Sequence, residues 1–317
     1  MRKIRYIVFF AIASVAGNVL YAQQDPQLTL FMYNDMFYNP AFAGVEGVTK
    51  VTLLDRHQWL LYQPTFDDGV APTTQVLSMT APIYRILPGS SGFGLNVVND
   101  QLGPQNNLII NGSFAYHLGI KNTKLSIGVR FGMFSQSYGG NFRPLEPEEF
   151  PGRESQVRPD MAFGVFWRAE KFYIGASANH LLKAEFDFGI DEQSNALEPH
   201  YNLTAGYVHK VNFDLTLRPS VLIMTDLNQF TFVLGGVAEY KERIDVGLSF
   251  RQSEDINLIL GYNFLKDKSL GVHYSFGYVY KDQEAKQATS HELMVGYTLP
   301  VSSGGGKKIV RTPRFRH

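Results

Sequence analysis

Past residue 45 the chain alternates between apolar and small or polar positions. Leu270, Val272, Tyr274, Phe276, Tyr278 and Tyr280 take every second place, with Gly271, His273, Ser275, Gly277 and Val279 between them. Ile244, Val246, Leu248 and Phe250 alternate with Asp245, Gly247, Ser249 and Arg251, and Leu125, Ile127, Val129, Phe131 and Met133 with Ser126, Gly128, Arg130 and Gly132. Met161, Phe163, Val165 and Trp167 form another such row, as do Ile256, Leu258, Leu260, Tyr262 and Phe264. Successive side chains of a strand point to opposite faces, so a period of two means that the faces meet different surroundings. No apolar stretch in this region is long enough for a membrane-spanning helix.

The pattern predicts strands at 48–59, 72–83, 91–101, 106–118, 123–136, 158–168, 170–180, 198–210, 213–224, 228–240, 243–252, 255–265, 268–280 and 288–299. Each is long enough for a tilted membrane strand. Aromatic residues near strand ends, such as Tyr262, Phe264, Tyr278 and Tyr280, favour lipid over a second packed sheet, because their rings anchor at the membrane interface. An open sheet edge in lipid leaves unpaired backbone groups, so the sheet must close. The expected fold is therefore all-β: a transmembrane antiparallel barrel of about fourteen strands spanning 48–299.

Connection lengths are asymmetric. Joints at 119–122, 210–212, 241–242 and 266–267 are tight, whereas 60–71, 137–157 and 181–197 are long; the exceptions are 84–90, which is longer, and 102–105, 225–227 and 253–254, which are short. Short periplasmic turns and long outer loops are the expected arrangement. If the first strand runs outward, an even strand count puts both flanking segments in the periplasm: a leader or plug at 23–47 and a tail at 300–317.

Composition sharpens this picture. Charged residues make up 18% and aromatic residues 14%, with 24 Phe and 17 Tyr, yet mean hydropathy is only −0.12. That suits a chain with one face in lipid and the other in water. The balance of 29 basic and 29 acidic residues argues against a nucleic-acid partner. Cysteine is absent, which excludes disulfides, thiolate metal sites and a cysteine lipid anchor. At the N-terminus, basic Arg2, Lys3 and Arg5 precede a short apolar run from Tyr6 to Ala16, and Leu20-Tyr21-Ala22 suits a cleavage site. Residues 1–22 read as an export signal peptide.

The leader carries Phe31, Tyr33, Phe37, Tyr38 and Phe42. Five aromatics are not expected of a solvated arm, so it should pack inside or beneath the barrel. The tail has a Ser302–Gly306 linker followed by basic residues around Pro313.

From Gln24-Asp25-Pro26-Gln27 onward the chain resembles the PorP/SprF family of outer-membrane proteins of the type IX secretion system in Bacteroidota. The resemblance runs through Asn39-Pro40-Ala41-Phe42-Ala43-Gly44, Arg56-His57-Gln58-Trp59, Ala71-Pro72-Thr73-Thr74, Gly92-Phe93-Gly94-Leu95, Phe114-Ala115-Tyr116-His117-Leu118 and Ala205-Gly206-Tyr207 to a Thr312-Pro313-Arg314-Phe315 ending. Leu28, Phe31 and Thr312 depart from the usual Phe, Tyr and Ser. The resemblance implies support for export or surface anchoring of large secreted proteins such as adhesins, in contact with the adhesin C-terminal domain. It also implies a periplasmic peptidoglycan-binding partner or other type IX components. Asp25, Pro26, Asn39, Pro40 and Gly44 in the leader, and Arg311, Pro313, Arg314 and Phe315 in the tail, are the expected partner contacts.

No cofactor, metal site or catalytic constellation is expected. The histidines at 57, 117, 180, 200, 209, 273, 291 and 317 lack metal-ligand spacing. His180, His200 and His291 fall near outer strand ends, where a membrane hydrolase would need them. Arg130, Asp160, Arg168, Arg251, His273 and Glu292 belong to inward rows, and would either stiffen the lumen through ion pairs or bind a partner or solute. A passive porin is the alternative function, since fourteen strands enclose a wide lumen.

Overall fold

The computed structural model describes residues 25–62, 71–83, 90–138, 154–187, 195–283 and 286–299. The signal segment and the basic tail lie outside them. The strands are β1 (Lys50–His57), β2 (Thr73–Ile83), β3 (Ser90–Leu102), β4 (Gln105–Ile120), β5 (Thr123–Tyr138), β6 (Glu154–Arg168), β7 (Phe172–Asn179), β8 (Glu185–Phe186), β9 (Asn195–Ala196), β10 (His200–Tyr207), β11 (His209–Lys210), β12 (Leu215–Thr225), β13 (Phe230–Tyr240), β14 (Ile244–Arg251), β15 (Asp255–Phe264), β16 (Leu270–Val279) and β17 (Thr289–Thr298).

All wall pairings are antiparallel, and β1 closes the ring on β17 from Lys50↔Thr298 to His57↔His291. β10 and β11 are two halves of one strand, since both pair with β12 in a single register. That strand is interrupted where Pro219 stands on β12. Proline has no N–H to give the ladder; on the other side the Val208 amide bonds to the Lys171 carbonyl at 2.6 Å, in register with the β7 pairing. The result is a closed fourteen-strand barrel whose strands match the alternation of the sequence within a few residues. β8 and β9 form a separate two-residue hairpin inside the long connection 180–199.

The two faces divide as expected. Outward Leu53, Phe131, Leu248, Ile256 and Leu293 are exposed, and Tyr262, Phe264, Tyr278 and Tyr280 ring the strand ends on the same face. Inward Thr52, Ser78, Asn96, Asn111, Ser126, Asp245, Asn257 and Ser275 are buried. One end of the barrel carries the tight turns. Tyr240–Arg243 is such a turn, with φ of 51° at Lys241 and 55° at Glu242 and a 3.0 Å bond from the Arg243 amide to the Tyr240 carbonyl. Positive φ at both central residues is the hairpin geometry that matches strand twist. The opposite end carries the long connections, along with short joints such as Leu102–Gln105 and Arg251–Asp255. Among the described residues no helix is long and apolar enough to cross a membrane; the strands do that.

Candidate functional site

Residues 25–47 occupy the lumen. Asp25 lies at the long-loop end, and the chain descends toward the tight-turn end. There it makes a short helix, α1 (Asp35–Tyr38), flanked by single 3-10 turns at Phe31–Tyr33 and Pro40–Phe42. It then crosses the inner wall to enter β1. The even strand count does set residues 49 and 299 at one end. It does not set Asp25 there, because the leader spans the lumen before the first strand begins.

The inward charges hold this segment by its backbone. Glu292 on β17 accepts hydrogen bonds from the Thr29 and Leu30 amides at 2.8 and 2.7 Å. Arg56 on β1 faces Glu292 at 3.7 Å and donates to the Gln27 carbonyl. Arg251 donates to the Thr29 hydroxyl at 2.9 Å and faces Asp255 at 3.8 Å. Arg130 on β5 donates to the Met36 and Phe37 carbonyls at 2.5 and 3.0 Å. Tyr33 donates to Asp245 at 3.0 Å, and His273 Nε2 meets the same carboxylate at 3.0 Å. Lys50 and Lys124 reach the carbonyls of Tyr33 and Val45. A charged group removed from water needs a partner, and here the partner is often the leader.

Asn39 fixes the crossing. Its side-chain oxygen accepts from the Ala41 amide at 2.9 Å, while its nitrogen donates to the Val165 and Ala176 carbonyls at 3.0 and 3.2 Å, one on β6 and one on β7. Pro40 opens the second 3-10 turn, where a missing N–H is harmless. Gly44 has a φ of 71° and lies on Gly92 of β3, so a side chain there would be strained and would meet the wall. Gly128 of β5 sits under Pro40 and Ala41, and a Cβ on it would run into their backbone.

Apolar side chains fill the remainder. Leu28, Leu30, Phe31 and Tyr38 pack on Leu54, Val76, Val98, Ile109, Phe134, Leu222, Val233, Ile259 and Met294, all buried and all pointing inward from the wall. Phe42 sits edge-to-face on Phe166 at 5.3 Å. From the long-loop end, Phe186 of β8 and Leu197 fold in on this core, Phe186 lying 5.7 Å from the Phe134 ring.

A polar cluster stands beside the start of the leader. Asp25 Oδ1 lies 2.9 Å from His180 Nε2. Asp160 Oδ2 lies 3.2 Å from His180 Nδ1, within ion-pair distance but off hydrogen-bond alignment. The His200 ring meets the His180 ring edge-on at 5.8 Å, and its Nδ1 lies 2.9 Å from the Glu198 carbonyl. Burial opposes charge on His180, but the Asp25 and Asp160 carboxylates outweigh it and push the imidazole up to about 10. Burial likewise opposes charge on Asp25, and His180 with its neighbours holds that carboxyl far below its usual range. These groups line a cavity of about 60 Å³ that also takes in Asn96, Asn111, Arg130 and Thr231.

At the tight-turn end Asp35 is buried, and one of its carboxylate oxygens has no hydrogen-bond partner. Burial, reinforced by Glu46, pushes its carboxyl up to about 7 against the pull of Lys50 and Arg168.

Of the residues singled out in the sequence, Asp25, Asn39, Pro40 and Gly44 contact the barrel itself, and Pro26 is half-buried beside them. Arg311, Pro313, Arg314 and Phe315 lie outside the described residues. Arg130, Asp160, Arg251, His273 and Glu292 are buried and inward, and Arg168 is half-buried at the tight-turn end. His180 and His200 meet, while His291 lies on the outer side, bonded to Tyr274 at 2.6 Å. The inward apolar residues were missed. So was the meeting of residues 25, 160, 180 and 200, which no spacing announces.

A family model described as "Type IX secretion system membrane protein PorP/SprF" matches residues 20–297. No curated protein matches the chain. Solved structures that resemble it include a toluene transporter, TbuX, from Ralstonia pickettii (12% identity, 83% of this chain and 92% of that one, TM-score 0.48). A FadL homologue of Pseudomonas aeruginosa has the same identity and coverage at a TM-score of 0.46. The outer membrane protein Omp33 of Acinetobacter baumannii is 7% identical over 80% of this chain and 99% of that one, at a TM-score of 0.45.

Proposed function

We propose, given that the chain belongs to the PorP/SprF family of type IX secretion system membrane proteins, that this outer-membrane barrel is a non-enzymatic seat for export or surface anchoring of large secreted proteins such as adhesins. The observation that carries the reading is the filled lumen. Wall charges that would line a solute path are spent on the leader's own backbone, from Glu292 on the Thr29 and Leu30 amides to Arg130 on the Met36 and Phe37 carbonyls. That supports a docking platform over a passive porin.

In this reading the tight-turn end faces the periplasm. The tail residues Arg311, Pro313, Arg314 and Phe315 form a peptide for a peptidoglycan-binding or other type IX component. Asp25, Pro26, Asn39, Pro40 and Gly44 set the leader's path, and through it the shape offered to a partner. The cargo's C-terminal domain is held at the long-loop end.

The test is affinity capture of the tagged full chain from native outer membranes, alongside a chain with Arg311, Arg314 and Phe315 changed to alanine. The expected result is capture of a large surface protein together with type IX components, and loss of the periplasmic partner alone with the altered tail. Capture of neither from wild-type membranes overturns the reading.

A further inference from the structure

We propose that Asp25, His180 and His200 form a transition-metal site of the zinc class, which clasps the start of the leader to the barrel wall. One donor atom from each residue lies within 4.8 Å of the donors of the other two. A tetrahedral zinc about 2.1 Å from each ligand holds its ligand atoms roughly 3.4 Å apart. Asp25 and His180, now 2.9 Å apart, need to part slightly, and His200 needs to close. His200 stands at the first residue of β10, bordering the long connection, where small adjustments are available.

The donor set is suited to a borderline metal. Two imidazoles and one carboxylate with a position left open are a common zinc arrangement, whereas calcium and magnesium prefer all-oxygen shells. Each second nitrogen faces an oxygen, one hydrogen-bonded and the other within ion-pair distance only. His200 Nδ1 is 2.9 Å from the Glu198 carbonyl, and His180 Nδ1 is 3.2 Å from Asp160. Outer partners of this kind orient ligating imidazoles and leave Nε2 for the metal. The fourth position opens into the cavity that Asp25, Asp160, His180 and His200 line, where water fits. Arg130 lines the same cavity, and the Asp25 and Asp160 carboxylates balance its charge.

Without metal, the same groups make a plain ion pair between Asp25 and protonated His180. Binding a divalent ion sends the imidazole proton to water and replaces that pair with three bonds. The three ligands come from the leader, from the end of β7 and from the start of β10. Their joint capture of one ion ties chain segments more than 150 residues apart, so the consequence is mechanical: the leader is pinned at the end opposite its entry into β1.

The test uses the full chain in detergent, stripped with a chelator and titrated calorimetrically with zinc, and separately with magnesium and calcium. One zinc per chain at micromolar affinity or tighter is expected, with no response to the other two ions and a rise in the heat transition of the barrel. Cobalt should give the visible absorption of a tetrahedral site. His200→Ala changes a half-exposed residue, and Asp25→Asn retains shape. Each should weaken zinc at least tenfold while the barrel keeps its heat-modifiable migration. Absence of zinc binding, or unchanged zinc affinity in both folded variants, overturns the proposal and leaves an ion pair alone.

Discussion

Two leader residues show how one side chain inside the lumen decides the state of the segment. Asn39 satisfies three backbone groups at once, one of its own turn and two of the wall. Only an amide can both accept from an N–H and donate to two carbonyls; a carboxylate of the same shape would aim an anion at them. Asp35 presents the opposite case, a carboxyl buried with one oxygen unpartnered. It is faced by Glu46 from the leader, Lys50 from β1 and Arg168 from β6. Its pKa is about 7 when the leader is seated, against an ordinary 3.8 when the leader is out. The seated state therefore binds more protons between these values. Stability of the seated leader is complete below about pH 4, declines as pH rises through about 7, and levels off above. A tenfold difference in proton affinity between the two states is worth about 1.4 kcal/mol, so the decline amounts to a few kcal/mol. The heat transition, followed by gel mobility, should fall between pH 5 and pH 8 in the wild type. Asp35→Asn should flatten that fall and raise the transition at pH 8. Parallel curves for the two proteins would show that Asp35 stays hydrated.

At the scale of elements, the wall and the leader are fitted to each other. The segment 39–44 lies against β3, β5 and β6, where the inward row has glycine under it; Gly128 is one such place, directly beneath Pro40 and Ala41. Gly128→Leu keeps a strand-compatible residue in β5 but fills the space the leader needs. Overpacking of this kind costs about 1–3 kcal/mol where neighbours can shift, and here the neighbour is backbone. The barrel should still form, with the leader displaced. Limited proteolysis should then cut within 25–47 of the variant and not of the wild type; equal protection would mean that the wall yields instead. The strands themselves were legible because lipid and lumen impose opposite demands on alternate residues. The fitting was less legible. Its signal is the contiguous apolar run inside an alternating strand: Leu53-Leu54, Leu108-Ile109-Ile110, Leu258-Ile259-Leu260 and Leu293-Met294-Val295. In each, the outer residues are exposed and Leu54, Ile109, Ile259 or Met294 is buried against the lumen core. A residue that breaks the alternation without breaking the strand reports something apolar inside. The β8–β9 hairpin had no such signal, since a two-residue pairing is set by its surroundings, not by pattern.

For the molecule as a whole, the question is what remains if the leader is taken away. A barrel of fourteen strands has a lumen wide enough for a solute path when nothing fills it. Closure rests on wall pairings alone, from β1–β17 to β10–β12, so the ring does not need the leader to close. The inward side does need it: without residues 28–38, Leu54, Ile259 and Met294 face water, and Glu292 loses both of its amide donors. Removal of residues 24–43 should therefore give a barrel that inserts and remains heat-modifiable, but melts at a lower temperature. In planar bilayers the wild-type chain should pass no steady current. The shortened chain should pass one, selective by charge because Arg56, Arg130 and Arg251 would then line the path beside Glu292 and Asp255. Secretion of the cargo should fail in cells carrying the shortened chain, because an open ring no longer presents the filled shape that a partner docks on. A steady current from the wild-type chain would restore the porin reading. Unchanged melting and unchanged secretion after the deletion would reduce the leader to a passenger in the lumen.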